Sequence, residues 1–167
     1  MQKGTLIDIN KLWIAERSAE TIDIRTKKPH ADFLYSMEKE GKLSTENFTL
    51  TVKKSEPPDN KQLHAASIEY VDAAKVKFPL TIRSWKPGDA FHPLGLKGRK
   101  KLSDFFGELK LTQEEKNAIP VIESAGTIVW VAGKRLNDHF KLTETTTTVY
   151  QLTVQTGQHH GKKNDQR

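Results

Sequence analysis

The chemistry that this sequence offers most clearly is the binding of phosphate groups, through cations gathered in one short stretch. Between Arg83 and Lys101 there are six Lys and Arg residues and a single acid, so 19 residues hold most of the chain's formal net charge of +6. Gly95 and Gly98 flank Leu96-Lys97, and glycine lets backbone N–H groups approach a ligand closely. Each phosphate that a cation neutralises releases condensed counterions. The stretch therefore favours nucleic acid as the partner, with a membrane surface second.

A second interpretation of the same stretch is a solvated loop whose lysines only prevent aggregation. The position of the loop argues against it, because a loop between a predicted strand and a predicted helix holds its charges on a defined scaffold. A further pair of cations, Lys134-Arg135, follows the strand predicted around Trp130 and could share the same surface. The two clusters together form the candidate phosphate-binding surface.

Other kinds of site find little support in the sequence. There is no cysteine, which excludes disulfides, thiolate catalysis and cysteine-ligated zinc. His64, His92 and His139 stand apart without the spacing of metal ligands. Asp104 and Asp138 are single carboxylates that suit helix ends or turns better than general acid catalysis. No nucleotide-binding loop of the GxxxxGK[ST] or GxGxxG type occurs, so we expect no catalytic centre, metal or cofactor in this chain.

Two zones flank the segment of residues 76–154, which contains the basic stretch. Residues 1–75 are polar and irregular, and alternation of apolar and polar residues predicts strands at Thr5–Ile9, Thr21–Arg25 and Asn47–Lys53. Phe33, Leu34 and Met37 have helical spacing, which predicts a short helix over Asp32–Glu40. Residues 155–167 contain no large apolar side chain and are predicted to be disordered.

The zone from 76 to 154 is richer in apolar residues and has to position the basic stretch. A turn is predicted at Lys86–Asp89, and two short helices follow it, one capped by Ser103 and one by the Thr112–Glu115 capping box. Phe105 and Phe106 could stack on bases, although adjacent aromatic residues that open a helix more often pack in a core. Strands are predicted at Pro79–Trp85, Pro120–Glu123, Thr127–Ala132 and Thr145–Val154. This mixture predicts an α+β fold with a small mixed sheet, preceded by a mostly β, irregular segment.

Two runs in this zone resemble a known family. Residues 82–106 read IRSWKPGDAFHPLGLKGRKKLSDFF, and residues 128–141 read IVWVAGKRLNDHFK. Both are similar to the C-terminal substrate-binding domain of bacterial tRNA(Ile)-lysidine synthases, in which an arginine precedes KxGD, PxGxKGxKKLSDFF and later IxWVxGxRxDxRFK. The likeness extends from about Val76 to Val154. His139 stands where an arginine is common, which weakens one potential phosphate contact.

The resemblance implies that the chain is the tRNA-binding part of an ATP-dependent ligase, which attaches lysine to the wobble cytidine of an isoleucine tRNA. The family's chemistry resides in an N-terminal domain with an SGGxDS loop, which this sequence lacks. ATP and magnesium are therefore expected to belong to that catalytic domain. The implied contacts with the phosphates of the tRNA acceptor stem are Arg83, Lys86, Lys97, Arg99, Lys100, Lys101 and Arg135, to which the charge pattern adds Lys134.

The implied partners are isoleucine tRNA and the chain's own N-terminal catalytic domain, in the cytoplasm, and a homodimer is left open. A membrane partner is not expected, because no run of about 18 apolar residues occurs. Two alternatives to tRNA binding remain. One is a structural or dimerisation domain without RNA contact, whose basic loop is a solvated rim. The other is an independent enzyme, which would need a nucleotide site that the sequence does not show.

Overall fold

The computed structural model of the chain forms two compact units, residues 1–31 and 32–167, and describes residues 6–8, 13–17, 22–26, 32–59 and 65–157. The first unit is a three-stranded antiparallel sheet of β1 (Leu6–Asp8), β2 (Trp13–Arg17) and β3 (Ile22–Thr26). The alternating strands predicted at Thr5–Ile9 and Thr21–Arg25 correspond to β1 and β3. Strand β2 was not predicted, because its sequence WIAER does not alternate between apolar and polar residues.

The second unit consists mainly of two antiparallel sheets. Its strands are β4 (Leu34–Met37), β5 (Gly41–Ser44), β6 (Phe48–Ser55), β7 (Ile68–Asp72), β8 (Leu80–Arg83), β9 (Ala90–Phe91), β10 (Lys100–Lys101), β11 (Val121–Ser124), β12 (Thr127–Val131), β13 (Arg135–Leu136) and β14 (Val149–Thr156). One sheet has the order β13-β12-β11-β8-β4, the other the order β5-β6-β14-β7, and β9 pairs with β10 as a separate ribbon. The helices are α1 (Leu102–Glu108) and α2 (Gln113–Ala118), with 3₁₀ turns at Ala73–Lys75 and Asp138–Phe140.

The larger core lies between the two sheets. Along β6, Phe48, Leu50 and Val52 are buried while the residues between them are partly exposed, which is the pattern of a strand with one face in the core. They pack in one cluster with Ile82 of β8 and Trp130 of β12, both from the five-stranded sheet. The two sheets therefore share one hydrophobic interior.

A smaller core lies on the opposite face of the five-stranded sheet and supports the basic stretch. Phe105 and Phe106 of α1 are only 3% and 0% exposed and pack in one cluster with Val121 and Val131. The Trp85 ring meets Phe106 edge-on, with ring centroids 5.6 Å apart. Both phenylalanines thus belong to the core, and neither presents a ring for base stacking.

Two local predictions are wrong. Residues 34–37 form strand β4, not a helix, because they pair with β8 in a register that places Tyr35 opposite Ile82 and Met37 opposite Leu80. Helix α1 begins at Leu102, and Lys101 occupies the cap position without a side-chain hydrogen bond, so Ser103 is not the cap.

The capping box of α2 is confirmed. The Thr112 hydroxyl accepts a hydrogen bond from the Glu115 backbone N–H, and the Glu115 carboxylate accepts one from the Thr112 N–H. The α+β class is also confirmed, since two short helices accompany sheets that account for most of the regular structure. No helix in the described ranges is long enough to span a membrane, the longer one having seven residues.

The two compact units divide after residue 31, whereas the sequence predicted a boundary near residue 75. Strand β4 pairs with β8, and β6 pairs with β14 over eight residues from Ser55↔Val149 to Phe48↔Thr156. Residues 34–55 therefore share both sheets with the later part of the chain. Gln155 and Thr156 extend β14 and so belong to a strand, and residues 158–167 of the predicted tail lie outside the described residues.

Candidate nucleic-acid interface

A short antiparallel ribbon carries the loop of residues 92–99, here called the basic loop. Ala90 pairs with Lys101 and Phe91 with Lys100, so the two ends of the loop are held side by side. Gly95 and Gly98 have φ values of 82° and 81°, a left-handed conformation that glycine adopts without steric cost. The Leu96 N–H donates to the Pro93 carbonyl at 3.0 Å. The loop is thus a defined succession of turns.

Strand β13 and the residues after it hold the base of the basic loop. The Leu94 N–H donates to the Leu136 carbonyl at 2.8 Å, and the Asp138 N–H donates to the His92 carbonyl at 2.7 Å. Pro93 also forms a β-bridge with Asn137. Because Arg135 directly precedes Leu136, the Lys134-Arg135 pair comes next to the segment that holds the loop. The structure therefore brings the two predicted clusters into one region.

Six of the eight predicted contact residues are exposed: Lys86, Lys97, Arg99, Lys101, Lys134 and Arg135. Among the described residues, Lys97, Arg99 and Lys101 form no ion pair, so their charges are available to an incoming anion. His92 and His139 are also exposed. No group of three acidic or histidine side chains in the described part of the chain could hold a metal ion, and His64 lies outside it.

Lys100 differs from its neighbours because it is half-buried and paired. Its Nζ lies 2.6 Å from Oε2 of Glu108, the last residue of α1. The Glu108 side chain is 60% exposed, and ion pairs at such positions contribute only about 0–1 kcal/mol. A phosphate could therefore compete with Glu108 for this lysine.

We expect Glu108→Gln to tighten the binding of a nucleic acid to this surface about twofold, because the change frees Lys100 and removes a negative charge beside the loop. Filter binding at low salt measures the effect. Glu46→Gln is the matched control, since Glu46 is an exposed acid between β5 and β6. Equal tightening in both variants would mean that only net charge matters.

Arg83 is a correction to the predicted contact set. It is 8% exposed, and its guanidinium binds Asp89 in bidentate fashion, with Nη1 2.8 Å from Oδ2 and Nη2 2.9 Å from Oδ1. Nη2 also lies 2.6 Å from Glu123 Oε1, and Nη1 donates to the Ser84 carbonyl. With these groups occupied, Arg83 is part of the scaffold and does not face a phosphate.

The two acids keep Arg83 charged despite its burial. Burial alone lowers the pKa of an arginine, but the hydrogen bonds that Arg83 donates to Asp89 and Glu123 outweigh it and raise the pKa of Arg83 above its ordinary value. Its Nε is buried and has no hydrogen-bond partner among the described groups. The sequence contained one signal for this arrangement, the lone acid Asp89 inside the basic stretch, while the contribution of Glu123 depends on strand pairing.

Sequence reasoning also missed Glu69 of β7, an acid whose pKa is shifted in the fold. Burial raises the pKa of Glu69, and a hydrogen bond from the Tyr70 N–H and the attraction of Arg135 offset this rise only in part. The folded chain therefore holds a proton on Glu69 at a pH where the unfolded chain has released it. By linkage, the free energy of unfolding falls as pH rises through this raised pKa.

We expect Glu69→Gln to remove this loss of stability, because glutamine cannot ionise. The stability of the variant relative to the native chain should then increase as pH rises from the ordinary pKa of a glutamate through the raised pKa of Glu69. Urea unfolding at several pH values measures it, with the exposed Glu46→Gln as control. Parallel pH profiles for the native chain and Glu69→Gln would contradict the raised pKa.

Comparison with known proteins agrees with this geometry. Residues 80–153, which include the ribbon, the basic loop, both helices and β11–β13, match the family model described as TilS substrate C-terminal domain. This part of the chain is thus similar to the TilS substrate C-terminal domain. A crystal structure of a TilS C-terminal domain superposes with a TM-score of 0.67 and 25% identity, covering 75% of this chain and 98% of that one.

Curated relatives of the TilS domain carry the name tRNA(Ile)-lysidine synthase. The protein of Parabacteroides distasonis is 48% identical over 82 residues, which is 49% of this chain and 19% of that protein. The protein of Clostridium acetobutylicum is 36% identical over 89 residues, 53% of this chain and 19% of that protein. The chain thus matches only about a fifth of the length of these relatives.

Proposed function

We propose that this chain binds isoleucine tRNA through the exposed cations of the basic loop and of Lys134-Arg135, and that it grips the acceptor stem. The observation that carries the proposal is the basic loop with its supporting ribbon, a structure fixed at both ends of the loop. It presents Lys97 and Arg99 of the loop and Lys101 of the ribbon, which form no ion pair among the described residues. Cations on a fixed backbone lose little freedom when they meet phosphates, so their binding energy is largely retained.

The kind of surface favours a double-stranded stem. The deep, narrow major groove of an A-form helix hides its base edges, so proteins recognise such stems through shape and phosphate contacts. The described basic surface offers lysine and arginine without an exposed aromatic platform, since Phe105 and Phe106 are buried. It therefore suits a phosphate backbone better than splayed single-stranded bases.

In the wider reaction, this chain holds the tRNA while the chemistry takes place on another domain. That domain would use ATP with magnesium to activate the wobble cytidine and attach lysine, in the cytoplasm. The names of the relatives and the small share of their length that this chain matches support this division of labour. No residue described here is assigned to the ligation step.

A binding experiment with RNA fragments tests the proposal. The chain is titrated with an isoleucine tRNA transcript, with a hairpin that copies its acceptor stem and with one that copies its anticodon arm. We expect the acceptor hairpin to retain most of the affinity and log K to fall with log salt by about 0.7–0.9 per phosphate contact. Equal binding of both hairpins would contradict the acceptor-stem assignment.

The same titration separates tRNA binding from the structural alternative. A domain that only builds a dimer would bind none of the three RNAs at about physiological salt, and its mass in solution would be that of two chains. Light scattering with and without tRNA gives that mass. A one-to-one complex with tRNA supports the binding function.

A further inference from the structure

We propose that Asp89, acting through Arg83 and the turn before it, is a positioning residue that sets the basic loop for RNA, so that removing its negative charge weakens binding. This inference rests on the proposed function. Electrostatics alone gives the opposite expectation, since an acid beside a cationic surface repels a polyanion. The sign of the effect therefore separates a positioning role from a simple contribution to net charge.

The carboxylate of Asp89 joins two parts of the chain. It receives both Arg83 guanidinium contacts and, on Oδ2, the Lys86 backbone N–H at 2.8 Å. The Asp89 N–H in turn donates to the Lys86 carbonyl at 3.1 Å. Asp89 thus closes the turn that follows β8. Its carboxylate also binds this turn to Arg83, the last residue of β8. Gly88, with a φ of 93°, supplies the left-handed backbone of this turn.

The backbone of Asp89 fixes the start and the end of the ribbon. Its carbonyl accepts a hydrogen bond from the Leu102 N–H at 2.8 Å, just where α1 begins. Ala90 and Phe91 follow directly and pair with Lys101 and Lys100. A displacement of Asp89 would therefore also displace β9 and β10, the two strands from which the basic loop extends.

Arg83 connects this turn to the centre of the sheet. Its Nη2 reaches Glu123 Oε1 on the neighbouring strand β11, and the strand pairing places Arg83 opposite Val121 in the same sheet. The chain of contacts runs from β11 through Glu123, Arg83 and Asp89 to the ribbon. Both terminal nitrogens of Arg83 are engaged with acceptors, and such buried hydrogen-bonded pairs rigidify the groups that they join, which is what a loop needs to meet several phosphates at once.

The test compares two variants with the same change in charge. Asp89→Asn and Asp104→Asn each remove one negative charge, but Asp104 is exposed on α1. Their affinities for the isoleucine tRNA transcript are measured at several salt concentrations, at a temperature where circular dichroism shows both folded. We expect Asp104→Asn to bind as well as the native chain or slightly better. We expect Asp89→Asn to bind at least about fivefold more weakly, with a salt slope shallower by about one phosphate contact.

The outcomes distinguish this inference from the proposed function. If the native chain binds the tRNA and Asp89→Asn binds equally well or better, the positioning role is wrong while tRNA binding stands. If the native chain does not bind, the proposed function itself fails. Should Asp89→Asn not fold, Glu123→Ala takes its place, because it removes the acceptor on β11 and keeps the Arg83–Asp89 pair. Weaker binding of that variant than of Asp104→Asn supports positioning, and equal or tighter binding overturns it.

Discussion

Replacing Lys97, Arg99 and Lys101 together with alanine is expected to lower the affinity for isoleucine tRNA by at least about tenfold at 0.1 M salt. The three side chains are exposed and form no ion pair among the described residues, so their loss leaves the fold intact and removes phosphate contacts directly. The slope of log K against log salt should also become shallower by about two, since each phosphate contact contributes roughly 0.7–0.9. Filter binding over a salt series measures both quantities.

A triple variant elsewhere on the surface is the matched control. Lys39, Lys42 and Lys53 are exposed residues around β5 and β6, and their replacement by alanine changes the net charge by the same amount. If binding depends on the basic loop, the control loses little affinity and keeps its salt slope. Similar losses in both triple variants would show that net charge alone attracts the tRNA. Lys100 is left unchanged in this comparison because its removal would also free Glu108.

The parts of this fold that the sequence predicted correctly are those whose cause is local. The capping box at Thr112 needs only two residues three positions apart, and it formed as expected. The strands predicted at Pro120–Glu123 and Thr127–Ala132 form β11 and β12, and the turn between them places Ala125 and Gly126 at positive φ. Strand β6 alternates because one of its faces is buried.

The predictions that failed depend on distant parts of the chain. Residues 34–37 have helical spacing, yet their pairing with β8 makes them an edge strand, because tertiary pairing outweighs weak local preference. Arg83 was predicted to bind phosphate because the family resemblance implied a contact for this cation of the basic stretch. It is buried because β11 brings Glu123 to it from 40 residues away, and no local pattern marks that contact. The family resemblance agrees with the family model that matches residues 80–153, but it could not separate scaffold cations from surface cations.

The burial of Arg83 leads to the largest expected effect on stability. Arg83→Met leaves Asp89 buried and Glu123 partly buried without their cation. Removing one partner of a buried ion pair typically costs about 3–5 kcal/mol, because the remaining charge is unpaired. We therefore expect the free energy of unfolding to fall by about that amount, as measured by urea denaturation near neutral pH. Arg99→Met is the control, and as an exposed loop substitution it should change stability by less than about 0.5 kcal/mol.

The comparison of stability with tRNA affinity tests whether Arg83 belongs to the scaffold. A scaffold residue loses stability when it is replaced, because Asp89 stays buried without its cation. A variant that is as stable as the native chain but has lost affinity for tRNA would instead restore Arg83 to the phosphate-binding set.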